Sequence, residues 1–407
     1  MANQLGEVVS AKSVEQRVRL CWHIITSEYP PQLGGVSDYT HWLADGLAAR
    51  GDEVHVWCPT FGGEGSDSNS AAVHREFGTF APADLRRVGE LLDRYPAPRR
   101  ILVQWVPHGY GYKTMNVPFC WWLWKRSTRH GDHVELMVHE PDLPFRAGAW
   151  RQNAAALVHR FMIVLLLRAA NRVWMSIPGW EPRLRPYAFG RRLPFQWLPI
   201  PSNVPNIVDF QGVNEVRQRY ASPNRVLIGH FGTYGTAVAA LLKPILLNLA
   251  KDSSQQCVLL MGHRSREFRQ ELVDGDPSLA RFLEATGALP GPDVSRHLSA
   301  CDLLIQPYPD GVSTRRSSFM AGLSHGKPIV TTRGPLSETL WTETAAVAIV
   351  PAGDIPGFVE CVRRFRDDAE ARDKAGQLAR ALYLEKFDFS HTVASLRRAA
   401  DPSLSES

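Results

Sequence analysis

Apolar residues in this chain fall into short runs separated by polar loops and amphipathic stretches. The runs at 19–26 (RLCWHIIT), 53–58 (EVHVWC), 101–106 and 135–138 are bounded by glycine, proline and polar residues. Runs of this kind predict strands buried on both faces of a parallel sheet. Between the first two, Tyr39, Trp42, Leu43, Leu47 and Ala48 recur at helical spacing, and Gly51 follows as a stop. Prolines then crowd at 178, 182, 186, 194, 199, 201 and 205, as a domain connection would require. A second alternating series follows, with runs at 226–230, 257–262, 303–305, 328–332 and 347–350, and closes on a helical stretch at 377–398. Strands alternating with helices predict open parallel sheets covered on both faces. Two such series predict an α/β chain of two doubly wound, Rossmann-like domains, 1–201 and 202–383, facing a central cleft. Ligands in sheets of this type bind beyond the carboxyl ends of the strands.

Composition narrows the function classes. The 407 residues carry a mild net charge of +5, with basic residues scattered rather than clustered, which argues against nucleic acid as a partner. The longest apolar run, 161–167, is closed by Arg160 and Arg168 and is too short to span a bilayer, which needs ~20 residues. The six cysteines form no CxxC pair and none has histidine at ligand spacing. A reducing, cytoplasmic setting is therefore expected, with no signal peptide at the polar amino end and no metal or other cofactor.

The densest chemistry lies at 301–332 (CDLLIQPYPDGVSTRRSSFMAGLSHGKPIVTT). A strand runs into a polar loop, then a helix that Ser317 or Ser318 is placed to cap, then Gly326 and a further strand. Lys327 is expected at the negative end of that helix. A loop that follows a strand and enters a helix amino terminus offers free N–H groups and a favourable dipole to phosphate. Arg315 and Arg316 add two permanent charges in a fork geometry that suits phosphate oxygens. Gly229, Gly232 and Gly235 form a G-x-x-G-x-x-G run after another strand, with Thr233 as a hydroxyl donor; a phosphate-contacting turn and an ordinary tight turn both fit. Arg264 is a second basic candidate.

Five segments in order resemble glycosyltransferase family 4, the retaining, nucleotide-sugar-dependent enzymes of the GT-B fold. They are YPPQLGGVSDYTHWLADGLAARGDEVHVWCP near the amino end, VHEPDLPF around His139, LPIPSNVP at 198–205, the unit DLLIQPYPDG…GLSHGKPIVTTRGPLSE, and LEKFDFSHTVASLRR at 384–398. The resemblance covers nearly the whole chain. It implies a GT-B fold whose last helix, within 384–407, packs back on the first domain. It implies transfer of a hexosyl-type sugar from a nucleotide-diphosphate sugar to a hydroxyl acceptor (a glycan, a lipid-linked glycan or a small molecule). It places Gly34 and Gly35 near donor phosphate or acceptor, His139 against the donor sugar, and Leu289 by the base. Asp310, Gly311, Ser313, Ser317 and Ser318 fall in the donor unit. The chain departs from the family at the paired donor-site glutamates, which align with Ser313 and Ala321, or with Asp310 and Ser318. The family's Arg and Lys after the first strand of the second domain are also missing; Lys243 lies further on. Arg315 and Arg316 are the candidates to replace them. A non-catalytic binding protein, or an epimerase or phosphorylase of the same fold, are the alternative readings. Trp121, Trp122 and Trp124 beside Lys125 and Arg126 suit either helix core or a peripheral membrane contact.

Overall fold

A computed structural model describes residues 19–32, 34–60, 70–111 and 114–403. Two parallel sheets organise them. The first is built from β1 (Cys21–Ile25), α1 (Gly35–Ala48), β2 (Glu53–Pro59), β3 (Ala72–Phe77), α2 (Pro82–Leu92), β4 (Arg100–Trp105), α3 (Val117–Arg129), β5 (His133–Val138), α4 (Trp150–Ala169), β6 (Ala170–Met175), α5 (Glu181–Leu184) and β7 (Phe195–Trp197). The second comprises α6 (Phe210–Tyr220), β8 (Val226–Phe231), α7 (Thr236–Leu249), β9 (Gln256–Met261), α8 (Ser265–Gly275), β10 (Leu283–Gly287), α9 (Gly291–Ala300), β11 (Leu303–Gln306), α10 (Ser317–Ser324), β12 (Ile329–Arg333), α11 (Leu340–Glu343), β13 (Ala348–Pro351), α12 (Ile355–Asp367) and α13 (Ala369–Lys386). The last helix, α14 (Phe389–Ala400), packs on α1.

The strand orders are β3-β2-β1-β4-β5-β6-β7 and β10-β9-β8-β11-β12-β13. Each order reverses once, between β1 and β4 in the first sheet and between β8 and β11 in the second. At such switch points adjacent loops diverge to opposite faces and leave a crevice at the strands' carboxyl ends. Each sheet is covered on both sides. One core layer packs Phe119, Leu123, Met162 and Leu166 against β4, β5 and β6, and the opposite layer packs Tyr39, Leu43 and Val393 against β1 and β2. Two similar layers flank the second sheet.

The strands β3, β6, β7 and β10 escape the sequence pattern. β3 is half-exposed at a sheet edge, and β6 follows α4 without a break, so its apolar residues merge with the helix. Two end-of-helix expectations also change. Neither Ser317 nor Ser318 caps α10, because the helix starts at Ser317 and puts Arg316 at the cap position without a capping side chain; Ser318 Oγ instead lies 3.1 Å from Tyr308 Oη. Lys327 Nζ serves the end of α9 rather than of α10, donating to the carbonyls of Ser299 and Cys301 at 2.6 and 2.8 Å.

The two sheets are tied together by polar contacts. Thr314 is the busiest. Its carbonyl accepts from Ile200 N–H at 2.9 Å, and its hydroxyl lies 2.7 Å from Ser176 O, 2.6 Å from Glu338 Oε1 and 3.1 Å from Trp197 Nε1. Ser202 N–H donates to Tyr383 Oη. On the first sheet's own side, Arg397 of α14 reaches the buried carboxylate of Asp52 at 3.0 Å.

Candidate functional site in the cleft between the two sheets

A cavity of about 350 Å³ opens between the sheets, lined by Glu28, Gly34, Gly35, Val36, Val106, His108, His139, Glu140, Ile200, Arg315, Arg316 and Ser317. Glu28 follows β1 and His108 follows β4, so the first wall sits on its sheet's switch point. The opposite wall comes from the loop after β11. Gly232, which follows β8, faces the start of α10: a Cβ built on it would lie 3.8 Å from Ser318 Oγ. Both switch points therefore contribute to one crevice.

The start of α1 is already occupied from within the chain. Val36 and Ser37 N–H groups donate to Glu28 Oε1 at 2.9 and 3.0 Å. These are orphan donors of a helix amino terminus, and the carboxylate also meets the positive end of the dipole. Gly34 makes this possible by its size rather than its backbone angle. Its φ of 180° is open to any residue, but a Cβ there would sit 2.3 Å from Glu28 Oε1. Gly35 has open space around the same position. Asp38 lies one turn into the helix and accepts from Asn203 Nδ2 at 2.7 Å, tying α1 to the segment between the sheets.

His139 is positioned by its backbone and held neutral by burial. Its N–H donates to Trp105 O at 3.1 Å, and its carbonyl accepts from Ser176 Oγ and Trp180 Nε1. The Tyr39 ring meets the imidazole edge-on at 5.1 Å. Nε2 lies 2.8 Å from Gln104 Oε1, an amide orientation that assigns the ring proton to Nε2 and leaves Nδ1 as an acceptor. Burial lowers the pKa to about 3, so the ring carries no charge at neutral pH.

The arginines enter the cleft pre-paired. Asp310 takes both, with Arg316 Nη2 2.6 Å from Oδ1 and Arg315 Nη2 on Oδ2. Arg315 also reaches across to Glu140 Oε1 of the first wall at 2.7 Å. Their guanidinium groups stack over aromatic rings, Arg315 on Trp180 at 5.8 Å and Arg316 on Tyr308 at 4.7 Å. Of the two, Arg316 has a single carboxylate partner and the more exposed side chain, 26% against 14%. It is the guanidinium with more freedom to accept an incoming anion.

Beneath the arginines the loop is tightly packed. Gly311 has a φ of +87°, and a Cβ there would lie 2.2 Å from Gly334 N. Ser313 is fully buried, and its Oγ has no hydrogen-bond partner among the described residues. Ser317 and Ser318 open α10, whose first turn has no capping side chain. Thr233 is exposed beside Gly232, which approaches Gly262 so closely that a Cβ on Gly262 would meet Gly232 O at 2.3 Å. Two candidates lie apart from the cleft. Arg264 starts α8 in a separate hollow with Lys243 and Glu267, and Leu289 is half-buried against the core of the second sheet. Glu28, Gln104, Thr314 and Glu338 are the residues that the sequence did not reveal.

Among the described residues, one group has metal-ligand spacing, Cys21, Glu53 and His55, at the opposite end of the strands. There His55 Nε2 bonds Glu53 Oε1 at 2.9 Å and Nδ1 bonds His74 Nε2 at 3.0 Å, while burial raises the Cys21 thiol to about 11. A protonated thiol and a doubly engaged imidazole describe a hydrogen-bonded network. No helix among the described residues is long and apolar enough to cross a membrane.

No protein-family model matches the chain, and no curated protein matches it by sequence. Solved structures do resemble it. Sucrose-phosphate synthase from Thermosynechococcus elongatus superposes with a TM-score of 0.72 at 14% identity, over 96% of this chain and 100% of that one. HepE from Anabaena, solved in complex with UDP and glucose, gives 0.70 at 14% identity over 94% and 100%. WaaG, described as a glycosyltransferase involved in lipopolysaccharide biosynthesis, gives 0.66 at 15% identity over 93% and 99%. At these identities the likeness is one of fold, and with the two parallel sheets it shows a two-domain, Rossmann-like GT-B fold.

Proposed function

We propose that the protein is a glycosyltransferase that moves a sugar from a nucleotide-diphosphate sugar to a hydroxyl acceptor with retention of configuration. The observation that carries this is the convergence of Gly34, Gly35, His139, Arg315, Arg316 and Ser317 on one cleft between the two switch points. HepE, one of the neighbours in fold, is described as a complex with UDP-glucose, which supports the same class of donor here. In this reading the donor diphosphate lies against the uncapped start of α10, the Gly232–Thr233 turn and the guanidinium of Arg316. Backbone N–H groups and a fixed guanidinium stabilise charge that develops on a leaving diphosphate without reorganising.

His139 serves as a neutral hydrogen-bond acceptor through Nδ1 for a hydroxyl of the sugar, not as a general acid. The acceptor hydroxyl attacks from the face that the diphosphate leaves, and the departing phosphate takes its proton. The protein's contribution is orientation and charge stabilisation. Because Glu28 fills the start of α1, the acceptor side favours a hydroxyl without its own phosphate at that position. Domain limits near 201 and 383, with α14 returned to the first domain, complete the proposal.

A second reading has a specific observation behind it. Arg315 and Arg316 are already neutralised by Asp310 and Glu140, and the aligned positions Ser313 and Ala321 are fully buried. A non-catalytic nucleotide-binding protein fits those facts. Thermal shift against a panel of nucleoside diphosphates, followed by mass spectrometry of donor hydrolysis, separates the two. Stabilisation by one nucleotide with release of free sugar supports the transferase. Stabilisation without sugar release supports the binding protein, and no response to any nucleotide removes both.

A further inference from the structure

Helices α3 and α4 lie side by side on one face of the first sheet. Their inner sides fill the core through Phe119, Leu123, Met162 and Leu166. Their outer sides are unusual. Trp150 is 72% exposed, Leu157 63%, Phe145 54%, Phe161 52% and Trp121 41%. On α4, Trp150, Ala154, Leu157 and Phe161 follow one another at steps of four, three and four, so they form one stripe along the helix. A stripe of large apolar groups facing water marks a surface that is covered in use.

The charged residues of the two helices have one sign. The sequence holds no acidic residue between Asp93 and Asp132, nor between Asp142 and Glu181, so neither helix carries a carboxylate. The basic groups there instead brace the aromatic rings. Lys125 Nζ lies 5.6 Å from the Trp121 ring centre and Arg151 Cζ 5.3 Å from Trp150, while Arg160, 4.6 Å from Phe145, is paired with the buried Asp142 at 3.4 Å. Exposed aromatic and aliphatic side chains beside Lys125, Arg151 and Arg168, on two helices that carry no carboxylate, match the chemistry of a lipid headgroup region with anionic lipid beneath an aqueous layer. A second copy of the chain is a poorer occupant. A two-fold contact through this face would set its basic groups against one another.

We propose that the α3–α4 face seats the protein on an anionic lipid bilayer. The loop that joins this face to the cleft is short: it leaves His139 and Glu140 at the cavity, passes Phe145 and ends at Trp150. Docking therefore presents the first wall of the cleft close to the membrane surface, where a membrane-borne hydroxyl could enter. The docking claim does not depend on the donor reading, since it concerns lipid alone.

The test is co-sedimentation of the full chain with vesicles of phosphatidylcholine, with and without one third phosphatidylglycerol. The wild type is expected to pellet with the anionic vesicles, less with the neutral ones, and to be released as salt rises. A Trp150→Ser/Leu157→Ser/Phe161→Ser variant and an Arg151→Glu/Arg168→Glu variant, checked for folding by circular dichroism, should each lose roughly tenfold or more in partitioning. Wild-type protein that stays in the supernatant with anionic vesicles overturns the proposal. So does binding that both folded variants retain, and so does a dimer in sedimentation velocity that the serine variant dissociates while vesicles are ignored. If a variant fails to fold, the wild-type lipid and salt dependence still decides.

Discussion

The filling of the α1 start by Glu28 makes a sharp energetic prediction. Glu28→Ala removes a carboxylate that accepts from Val36 and Ser37 N–H. Loss of a helix cap costs about 1 kcal/mol, and loss of the charge–dipole contact adds a few tenths to about 1 more. The expected total is about 2 kcal/mol. Gly34→Ala should lose part of that amount, about 1–1.6 kcal/mol net, by a different route. The new Cβ would stand 2.3 Å from Oε1 and 2.6 Å from the carboxyl carbon, so the carboxylate must leave the helix. Backbone strain contributes nothing at a φ of 180°, and the stiffer unfolded chain returns roughly 0.4–1 kcal/mol. The two substitutions act on one interaction, so the double variant should cost no more than Glu28→Ala alone, about 2 kcal/mol, rather than the additive sum of about 3. In a domain of this size that is a fall in Tm of about 4–8 °C for Glu28→Ala, about 2–6 °C for Gly34→Ala, and no more than the larger of these for the pair. Differential scanning calorimetry of the four proteins reads the cycle. Additive losses, or a Gly34→Ala protein that melts like the wild type, would refute the claim that this glycine exists to admit Glu28.

Other consequences can be measured separately. Thr314→Val should cost about 1–3 kcal/mol, because the buried Ser176 carbonyl loses its hydroxyl partner while the shape is kept. Thr314→Ser should restore most of it, and equal melting of the two would exclude the hydroxyl as an inter-sheet tie. Gly311→Ala forces a side chain into a left-handed backbone and onto Gly334, so a loss of roughly 3 kcal/mol or more is expected in thermal melts. Acidification should destabilise the fold through His23, His139 and His230, whose pKa values burial lowers to about 3. The folded protein keeps these rings neutral while the unfolded chain protonates them near 6.5, so stability is full above that value and falls as pH drops below it. At pH 5 each contributes a loss of about 2 kcal/mol, from 1.36 kcal/mol per pH unit. Scanning calorimetry between pH 7 and pH 5 should show Tm falling by on the order of 10 °C; an unchanged Tm would mean that the rings are solvated.

How much of this was legible in the chain depends on the range of each interaction. β1, β5, β8, β9 and β11 are central strands with nearly every residue buried, so their apolar runs stand out. β3 and β7 are edge strands, and β6 borrows the end of α4, so periodicity hides them. In the cleft, Gly34, His139, Arg315 and Arg316 sit where a strand gives way to a loop, and the local pattern marks such positions. Glu28 was illegible because a glutamate after a strand reads as solvated until α1 folds back on it. Gln104 and Thr314 depend on partners 35 and 138 residues away, which no local pattern encodes. The arginines show the limit from the other side. Their presence was readable, but their sharing of Asp310 and the reach of Arg315 to Glu140 required the two walls to meet.

The central claim is that this cleft binds a nucleotide diphosphate with Arg316 as its principal cation. Isothermal titration of the wild type, Arg315→Ala and Arg316→Ala with the best nucleoside diphosphate of a panel tests it most directly. Charge-assisted hydrogen bonds to phosphate are worth about 1.5–3 kcal/mol, so Arg316→Ala should weaken binding by roughly 10- to 100-fold, with a smaller effect for Arg315→Ala. Unchanged affinity in both variants would contradict the account and return the two arginines to a purely structural pairing with Asp310 and Glu140.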